Sequence, residues 1–356
     1  MSADPVFHAE ALRSYVRSLI LALKLPRSTA DTMAESLVAA NVRGVDSHGL
    51  QLLPFYIAQL EDGRVNGLET GAAVSESGAV MVYDGRNGLG QIVSEKCTDH
   101  AVRLAREHGL GCVVARESNH FGAAAWWAQR MSRQGVIGIV MCTASSTVAP
   151  WQGKDPRWGT NPICCSAPGR DGGGWLLDMA TTTVAMGKIY RANILGNEEI
   201  PAGWAMDSEG LPTTSTQEAL RGMLMPLGGY KGSGLALMVE MLCGVLSAGA
   251  LSTELGGLRV KDRPFRVCQF FLAIDVSRFL PMEEFEERLR KLTGMAKSSS
   301  PAAGFDEVLV AGEPEWRTEA VRLREGVPVA APLWNTLREI GSRLGVVAPE
   351  PVSGLP

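Results

Sequence analysis

The order of hydrophobic and polar residues predicts a helical first part of the chain. Apolar residues recur at helical spacing over residues 33–40, after Ser28 and Asp31, which have the spacing of a capping box. Gly44 is placed to end this helix, and a second helix is predicted over residues 52–60. The loop between the two helices therefore carries residues 46–49.

From about residue 75, short β-rich runs alternate with helical segments. Strands are predicted at residues 80–83, 112–115, 136–142, 163–167, 175–178 and 267–274. Helices are predicted at residues 91–108, 123–134, 233–248, 282–292 and 333–344. Residues 297–304, which include three serines, have the composition of a linker. This interleaving predicts a mixed α/β fold.

Composition excludes several classes of protein. The net charge of −4 disfavours nucleic acid as a partner, because phosphate binding needs a basic face. The seven cysteines include no C-x-x-C pair, which favours a reducing compartment. The longest apolar stretch, residues 235–246, is too short to span a bilayer and contains Glu240. Without a secretory pattern at the N-terminus, we expect a cytoplasmic protein.

A Rossmann dinucleotide fingerprint is not found in the sequence. The nearest approach is Gly88-Leu89-Gly90 after a predicted strand, but Val93 stands in place of the third glycine. A glycine turn before a helix is the favoured explanation of this segment. The chain also has no Walker A sequence, no H-E-x-x-H, no G-x-S-x-G and no cluster with metal-ligand spacing. We therefore expect no metal.

Two glycine-flanked stretches contain histidine. In Asp46-Ser47-His48-Gly49, His48 could donate a proton to a reduced carbonyl, since its ordinary pKa is about 6.5, and Ser47 could orient the ring. The alternative is a helix-terminating turn with local bonds only. The second stretch, residues 118–122, precedes a helix start that could seat pyrophosphate or could simply be capped by its own polar residues.

Three further stretches combine glycine or strand ends with polar residues. Residues 159–162 read as a turn before a strand. Asp178 ends an apolar run, where it could face a ligand crevice or cap a helix. Lys231 stands among glycines at the start of the most hydrophobic helix, a position suited to phosphate, to a Schiff base with pyridoxal phosphate, or to plain exposure.

Together these stretches resemble the malate/L-lactate dehydrogenase family that is distinct from Rossmann-type enzymes and includes sulfolactate and ureidoglycolate dehydrogenases, 2,3-diketogulonate reductases and Δ1-piperideine-2-carboxylate reductases. The matches, in the family's order, are DSHG at 46–49, SNHFGAA at 118–124, GTNPI at 159–163, LLDMAT at 176–181, GYKGSGLALMVE at 229–240 and GEPE at 312–315. The similarity extends over about residues 10–347.

The resemblance implies an α/β (α+β) homodimer that uses NAD or NADP without a Rossmann domain. Residues 1–75 and 320–356 are expected to form a mainly helical domain for substrate binding and dimerisation. Residues 76–319 are expected to form the NAD(P)-binding domain around a mostly antiparallel sheet. The implied reaction transfers hydride to a C=O or C=N carbon beside a carboxylate, so a small carboxylate-bearing substrate is expected, with neither nucleic acid nor membrane as a partner.

The resemblance also assigns residues to the site. His48 is similar to the family's proton donor, with Ser47 beside it, and Asp178 would complete a Ser–His–Asp relay in some members. His120 matches a histidine proposed as the acid or base in others, so the two histidines compete for this role. The residues similar to those that hold NAD(P) are His120, Phe121, Gly122, Ala123, Thr160, Asp178, Met179, Ala180, Thr181, Lys231, Gly232, Gly312, Glu313 and Pro314.

One departure from the family's pattern concerns the substrate. Many members have an arginine four residues after the motif histidine, where it can bind the substrate carboxylate, and this chain has Leu52 there. Arg43, Arg157 and Lys188 are unranked candidates to replace it. Two other functions stay open, a pyridoxal phosphate enzyme using Lys231 and a nucleotide-binding dimer without turnover.

Overall fold

The computed structural model of the chain describes residues 4–169, 174–258 and 263–352. Its α-helices in these ranges are α1 (Ala9–Ala22), α2 (Arg27–Val42), α3 (Leu53–Glu61), α4 (Gly90–His108), α5 (Ala124–Ser132), α6 (Met186–Ile194), α7 (Thr216–Arg221), α8 (Tyr230–Glu240), α9 (Met282–Lys297), α10 (Glu313–Glu325) and α11 (Ala331–Leu344). Its strands are β1 (Val6–Phe7), β2 (Ala72–Ser77), β3 (Val80–Asp84), β4 (Leu110–Ser118), β5 (Val136–Cys142), β6 (Ile163–Ala167), β7 (Trp175–Met179), β8 (Ala205–Met206), β9 (Pro212–Thr213), β10 (Met223–Leu224), β11 (Val267–Asp275) and β12 (Val327–Pro328). None of the helices described combines the length and apolar character that a membrane crossing needs.

The main sheet has seven strands in the order β2-β3-β4-β11-β5-β6-β7. Every neighbouring pair is antiparallel except β3–β4. The central strand β11 is apolar along most of its length and mostly buried, as expected for a strand covered on both faces. The six strands predicted from the sequence all lie in this sheet and are confirmed. The edge strand β2 was not predicted, because most of its residues are exposed and carry no apolar pattern.

The predicted helices are also present, with differences at their ends. The helix predicted over residues 233–248 begins earlier, at Tyr230, and continues beyond α8 as a π-helical segment, Met241–Val245. The linker predicted at residues 297–304 begins with the last residue of α9. Helix α10 was not predicted. Charged residues make up more than half of its sequence, which obscures any apolar face.

The described residues form two large hydrophobic cores. One joins α1, α2 and α3 to residues from the other end of the chain, including Val327, Trp334 and Leu337. The other lies between the main sheet and the helices α4 and α5. The division of the chain into the two domains expected from the sequence stays a prediction.

Smaller apolar clusters complete the second half of the structure. Helix α8 and the π-helical segment pack on the opposite face of the sheet, with Val239 and Cys243 against Val114 and Phe270. A further cluster joins α6 and α7 to β8 and β10, within the segment that connects the sheet to α8. The sequence did not predict this small unit, because its strands have only two residues each.

Candidate active site

The Asp46–His48 turn is held from two sides. Asp46 accepts hydrogen bonds from Asn41 of α2 (2.6 Å) and from both terminal nitrogens of Arg322 of α10 (2.7 and 3.1 Å). Gly49 follows the turn at a close approach to α2, since a Cβ atom there would lie 2.0 Å from the side-chain oxygen of Asn41. The motif is thus a fixed 3₁₀ turn.

His48 is partly exposed, with Ser47 beside it. The Ser47 hydroxyl lies 2.9 Å from Nδ1 of His48. Surrounding protein atoms desolvate the ring, which lowers the pKa of His48 from its ordinary value and favours the neutral form. With Nδ1 bonded to Ser47, Nε2 is the ring atom available to a ligand.

His120 is stacked between two other rings. Its centroid lies 5.9 Å from that of His48, with 24° between the planes, and 6.3 Å from that of Phe265, with 21°. Its Nδ1 lies 2.7 Å from the Tyr56 hydroxyl and 3.2 Å from the Gly122 amide nitrogen. Burial, together with the neighbouring His48, lowers the pKa of His120 to about 3. The ring is therefore neutral at physiological pH.

Asp178 lies near the end of β7 and accepts a hydrogen bond from the Ala125 amide (2.9 Å) in the first turn of α5. The helix start that the sequence offered as a pyrophosphate seat is thus partly taken by a protein carboxylate. Asp178 keeps solvent access, yet desolvation by neighbouring protein atoms raises the pKa of its carboxyl group to about 6. The hydrogen bonds described for Asp178 do not include one to His48.

The loop that carries His120 packs against the start of α4. A Cβ atom on Gly90 would lie 2.2 Å from the backbone oxygen of Asn119 and 2.3 Å from that of His120. The Gly88-Leu89-Gly90 segment therefore serves close packing against this loop. Phe121 is buried beside Trp127, whose ring nitrogen donates to the Phe121 carbonyl (2.9 Å).

Backbone hydrogen bonds bring three distant cofactor-site candidates together. The amide and hydroxyl of Thr181 donate to the Thr160 carbonyl (2.9 and 3.0 Å). The Leu227 amide donates to the Thr181 carbonyl (3.0 Å), and the Gly232 amide donates to that of Leu227 (2.7 Å). Lys231, next to Gly232 at the start of α8, is exposed. Residues 160, 181 and 231–232 therefore line one region.

The remaining candidates lie around the same strand, β7. Met179 ends it, paired with Ile163, and Ala180 follows directly. Gly312, in the left-handed region with φ of +94°, approaches the carbonyl of Leu176 within β7. Of the next two residues, Glu313 forms an ion pair with Lys297 (2.6 Å), and Pro314 is exposed.

The three cations considered for the substrate carboxylate have different surroundings. Arg43 is buried, donates to Gln129, and lies close enough to Asp178 for each to influence the other's pKa. Arg157 is exposed and paired with Asp155 (3.1 Å). Lys188 is exposed and lies over the Trp204 ring, 5.6 Å from its centroid.

Leu52, in place of the family's arginine, is 9% exposed and packs in the helical core. The sequence reasoning also missed residues that surround the two histidines, namely Tyr56, Phe265 and Arg322. Phe265 and Arg322 lie far from the motifs in the chain, and Tyr56 lies within the apolar helix α3, so no local pattern marks them.

Comparisons with known proteins extend over nearly the whole chain. The chain is 37% identical over 347 residues to the malate dehydrogenase of Pyrococcus horikoshii, covering 95% of each chain. The solved structure of that enzyme superposes with a TM-score of 0.89 and 34% identity, over 98% of this chain and 99% of the other. The sulfolactate dehydrogenase of Methanocaldococcus jannaschii gives 0.90 and 35% identity, over 96% and 98%. The Δ1-piperideine-2-carboxylate reductase of Pseudomonas syringae gives 0.82 and 27%, over 94% and 99%.

These similarities define the chain as an enzyme of the NAD(P)-dependent oxidoreductase class. A sequence profile described as malate/L-lactate dehydrogenase matches residues 7–338. The chain belongs to this family, which confirms the resemblance carried by its six motifs.

Proposed function

We propose that the protein interconverts a 2-oxo acid and a 2-hydroxy acid, or reduces a cyclic imino acid, with NAD or NADP as cofactor and His48 as proton donor. The observation that carries this proposal is the placement of His48 5.9 Å from His120, beside the strand end and helix start where the cofactor-site candidates meet. Family membership supports the reaction type, and names of relatives support both substrate classes.

The residues of the chain divide the acid–base work as follows. In the oxidative direction neutral His48 accepts the proton of the substrate hydroxyl, and in the reductive direction its protonated form returns that proton to the oxygen. Ser47 orients the ring through Nδ1. When bound, the nicotinamide supplies or accepts the hydride. The Ser–His–Asp relay through Asp178 stays a prediction.

The cofactor candidates fit a dinucleotide by their chemistry. The Lys231 ammonium group and the Thr160 hydroxyl are suited to phosphate oxygens, next to the Gly232 backbone. The nicotinamide would lie beside Asp178, Met179 and Ala180, which are expected to be nearer to the two histidines. We propose that this site works without a Rossmann domain, since the sheet that carries it has one parallel pair.

The substrate carboxylate needs a partner other than Leu52. Among the three cations considered, we favour Arg43, because it alone lies close to Asp178. Its Nε is buried without a hydrogen-bond partner among the residues described, so one donor of its guanidinium group is unused.

We also propose that the protein is a homodimer. Helix α8 and its π-helical extension expose Leu237, Met241 and Val245 on one side, each more than half accessible. An apolar stripe of this kind is costly in water and is typical of a subunit contact. Light scattering on the purified protein measures the mass that tests this proposal.

The function is tested by following NADH and NADPH oxidation separately with pyruvate, oxaloacetate, sulfopyruvate, 2,3-diketogulonate and Δ1-piperideine-2-carboxylate. We expect one cofactor and one of these substrates to support turnover. The His48→Ala variant should lower kcat by about 10² to 10⁴-fold while cofactor binding is retained. Because protonated His48 is needed for reduction and its pKa is lowered, the wild-type reduction rate should rise as pH falls, and the variant should lose this dependence.

Other outcomes would favour the two alternatives. Wild-type turnover in His48→Ala would remove His48 as donor. A borohydride-trapped adduct on Lys231 without nicotinamide binding would indicate a pyridoxal phosphate enzyme. Tight NAD(P)H binding without oxidation across the whole panel would indicate a nucleotide-binding protein without turnover.

A further inference from the structure

Tyr56 is a buried residue of α3 that contacts the site directly. It lies eight residues after His48 in the sequence and is 2% exposed. Its hydroxyl is 2.7 Å from Nδ1 of His120, across 64 residues of chain. Nothing in the motifs points to it.

The contacts at Nδ1 determine which ring nitrogen of His120 carries the proton. The Gly122 backbone N–H, 3.2 Å away, can only donate, so Nδ1 must present a lone pair. The Tyr56 hydroxyl at the same atom must then donate as well. In a neutral imidazole the proton consequently lies on Nε2.

The orientation of His120 is fixed by its other neighbours. His48 stacks on the ring at 5.9 Å, and Phe265 at 6.3 Å. The hydrogen bonds of the described residues all reach His120 through Nδ1, which leaves Nε2 for a ligand. Burial raises the pKa of Tyr56 well above its ordinary value, so its hydroxyl keeps its proton at neutral pH.

We infer that Tyr56 is a positioning residue that holds His120 as the Nε2–H tautomer, so that His120 donates a hydrogen bond to the oxygen or nitrogen of the substrate double bond while His48 transfers the proton. This inference rests on the proposed function and deepens it, since it gives the two histidines different tasks. A fixed donor aimed at an atom where negative charge develops stabilises the transition state more than the bound substrate.

The inference is tested by nitrogen NMR on protein with ¹⁵N-labelled histidine rings. The chain has five histidines, and the His120→Gln variant identifies the His120 signals. We expect the neutral Nε2–H tautomer in the wild type at neutral pH. In Tyr56→Phe we expect a shift towards a mixture of tautomers, a fall in kcat of about tenfold, and an unchanged Kd for NAD(P)H.

Tyr15→Phe is the matched control. Tyr15 is also buried in the helical core and donates a hydrogen bond of 2.7 Å, to the Leu337 carbonyl, away from the site. It should lose similar stability without changing kcat or the His120 tautomer. The inference is overturned if wild-type His120 is protonated at Nδ1, or if Tyr56→Phe keeps both the wild-type tautomer and kcat.

The NMR result separates this inference from the proposed function. If no substrate is turned over but His120 is the expected Nε2–H tautomer, the result counts against the proposed function and not against the role of Tyr56. Normal turnover with an unaltered tautomer in Tyr56→Phe would count against Tyr56 alone.

Discussion

His48, His120 and Asp178 are each less readily charged than in water. Burial lowers the pKa of His48 and of His120, and desolvation raises that of Asp178. In such an environment a few fixed donors interact strongly with a developing charge, because water screens them little. The three residues come from different elements, and the surroundings of each disfavour its charged form. Such surroundings suit the reduction of a carbonyl.

Asp178→Asn should make stability less dependent on pH. The ordinary pKa of this carboxyl is 3.8 and its folded value about 6, so between these values the folded protein binds a proton that the unfolded chain does not. The free energy of unfolding contributed by Asp178 thus falls as pH rises from about 4 to about 6. Thermal unfolding of both proteins should show the variant gaining Tm relative to wild type across this range.

The two histidines do not obscure this measurement. Their lowered pKa values give the opposite slope, with stability lost as pH falls below 6.5, but that slope is common to both proteins and cancels in the difference. A Tm difference that stays constant from pH 4 to pH 7 would contradict the raised pKa of Asp178.

Polar residues of the site were more predictable than its aromatic ones. Ser47 and His48 stand out because they follow a helix and precede a glycine, where a core role is improbable for them. Tyr56 and Phe265 lie in apolar surroundings, and sequence cannot distinguish a ring that contacts a histidine from one that only fills the core. The capping box was wrong, since Pro26 precedes α2 and no side chain caps it.

At the level of elements, the start of α8 is fixed by close backbone contacts. A Cβ atom on Gly232 would lie 2.4 Å from the Leu227 nitrogen and 2.6 Å from the Thr181 carbonyl oxygen. Nothing lies within 4 Å of the corresponding position on Gly234, two residues further along the same helix. The glycine-rich motif therefore contains one glycine required by packing and another that is not.

Gly232→Ala should weaken cofactor binding, and Gly234→Ala is its control. The methyl group at 232 must displace the segments that carry Thr181 and Lys231, at a cost of about 1–3 kcal/mol, and KM for NAD(P)H should rise. At 234, alanine should leave KM unchanged and stabilise the helix by up to about 1 kcal/mol. Unfolding curves and cofactor titrations measure both effects. Equal KM values in the two variants would contradict the role given to Gly232.

The sequence predicts that a helix begins near residue 124, but it does not predict which group binds at the N-terminus of this helix, α5. A helix after the His120 loop follows from local pattern, and a free N-terminus would attract an anion. Asp178, from a strand 53 residues away, already accepts a hydrogen bond from Ala125 there. Only the tertiary fold reveals that the chain supplies its own carboxylate.

On the scale of the whole molecule, the site depends on both ends of the chain. The strands β1 and β12 pair, and the helical core joins α1–α3 to the C-terminal residues. The sequence predicted this arrangement only through the family resemblance, because no local pattern records a contact between residues 300 positions apart. One link between the two halves of the helical part is Arg322, whose partner Asp46 lies 276 residues earlier.

Arg322→Gln should lower kcat without a matching loss of stability. Arg322 bonds both carboxylate oxygens of Asp46 and the Asn41 carbonyl, so it fixes the turn that presents His48. Arg343 makes a comparable two-point pair with Glu61 (2.5 and 3.0 Å) between the same chain ends, away from the motif. Partly exposed pairs contribute at most about 1 kcal/mol, so both variants should unfold at similar temperatures.

The two arginine variants differ in what happens at His48. Because His48 is the proposed proton donor, a misplacement of its ring by a fraction of an ångström is expected to lower kcat about five- to tenfold in Arg322→Gln, while KM for the cofactor stays unchanged. Arg343→Gln should keep the wild-type kcat. If steady-state kinetics gave the same kcat for both, helix α10 would hold the fold together without positioning His48, and the Asp46–His48 turn would have to be ordered by α2 alone.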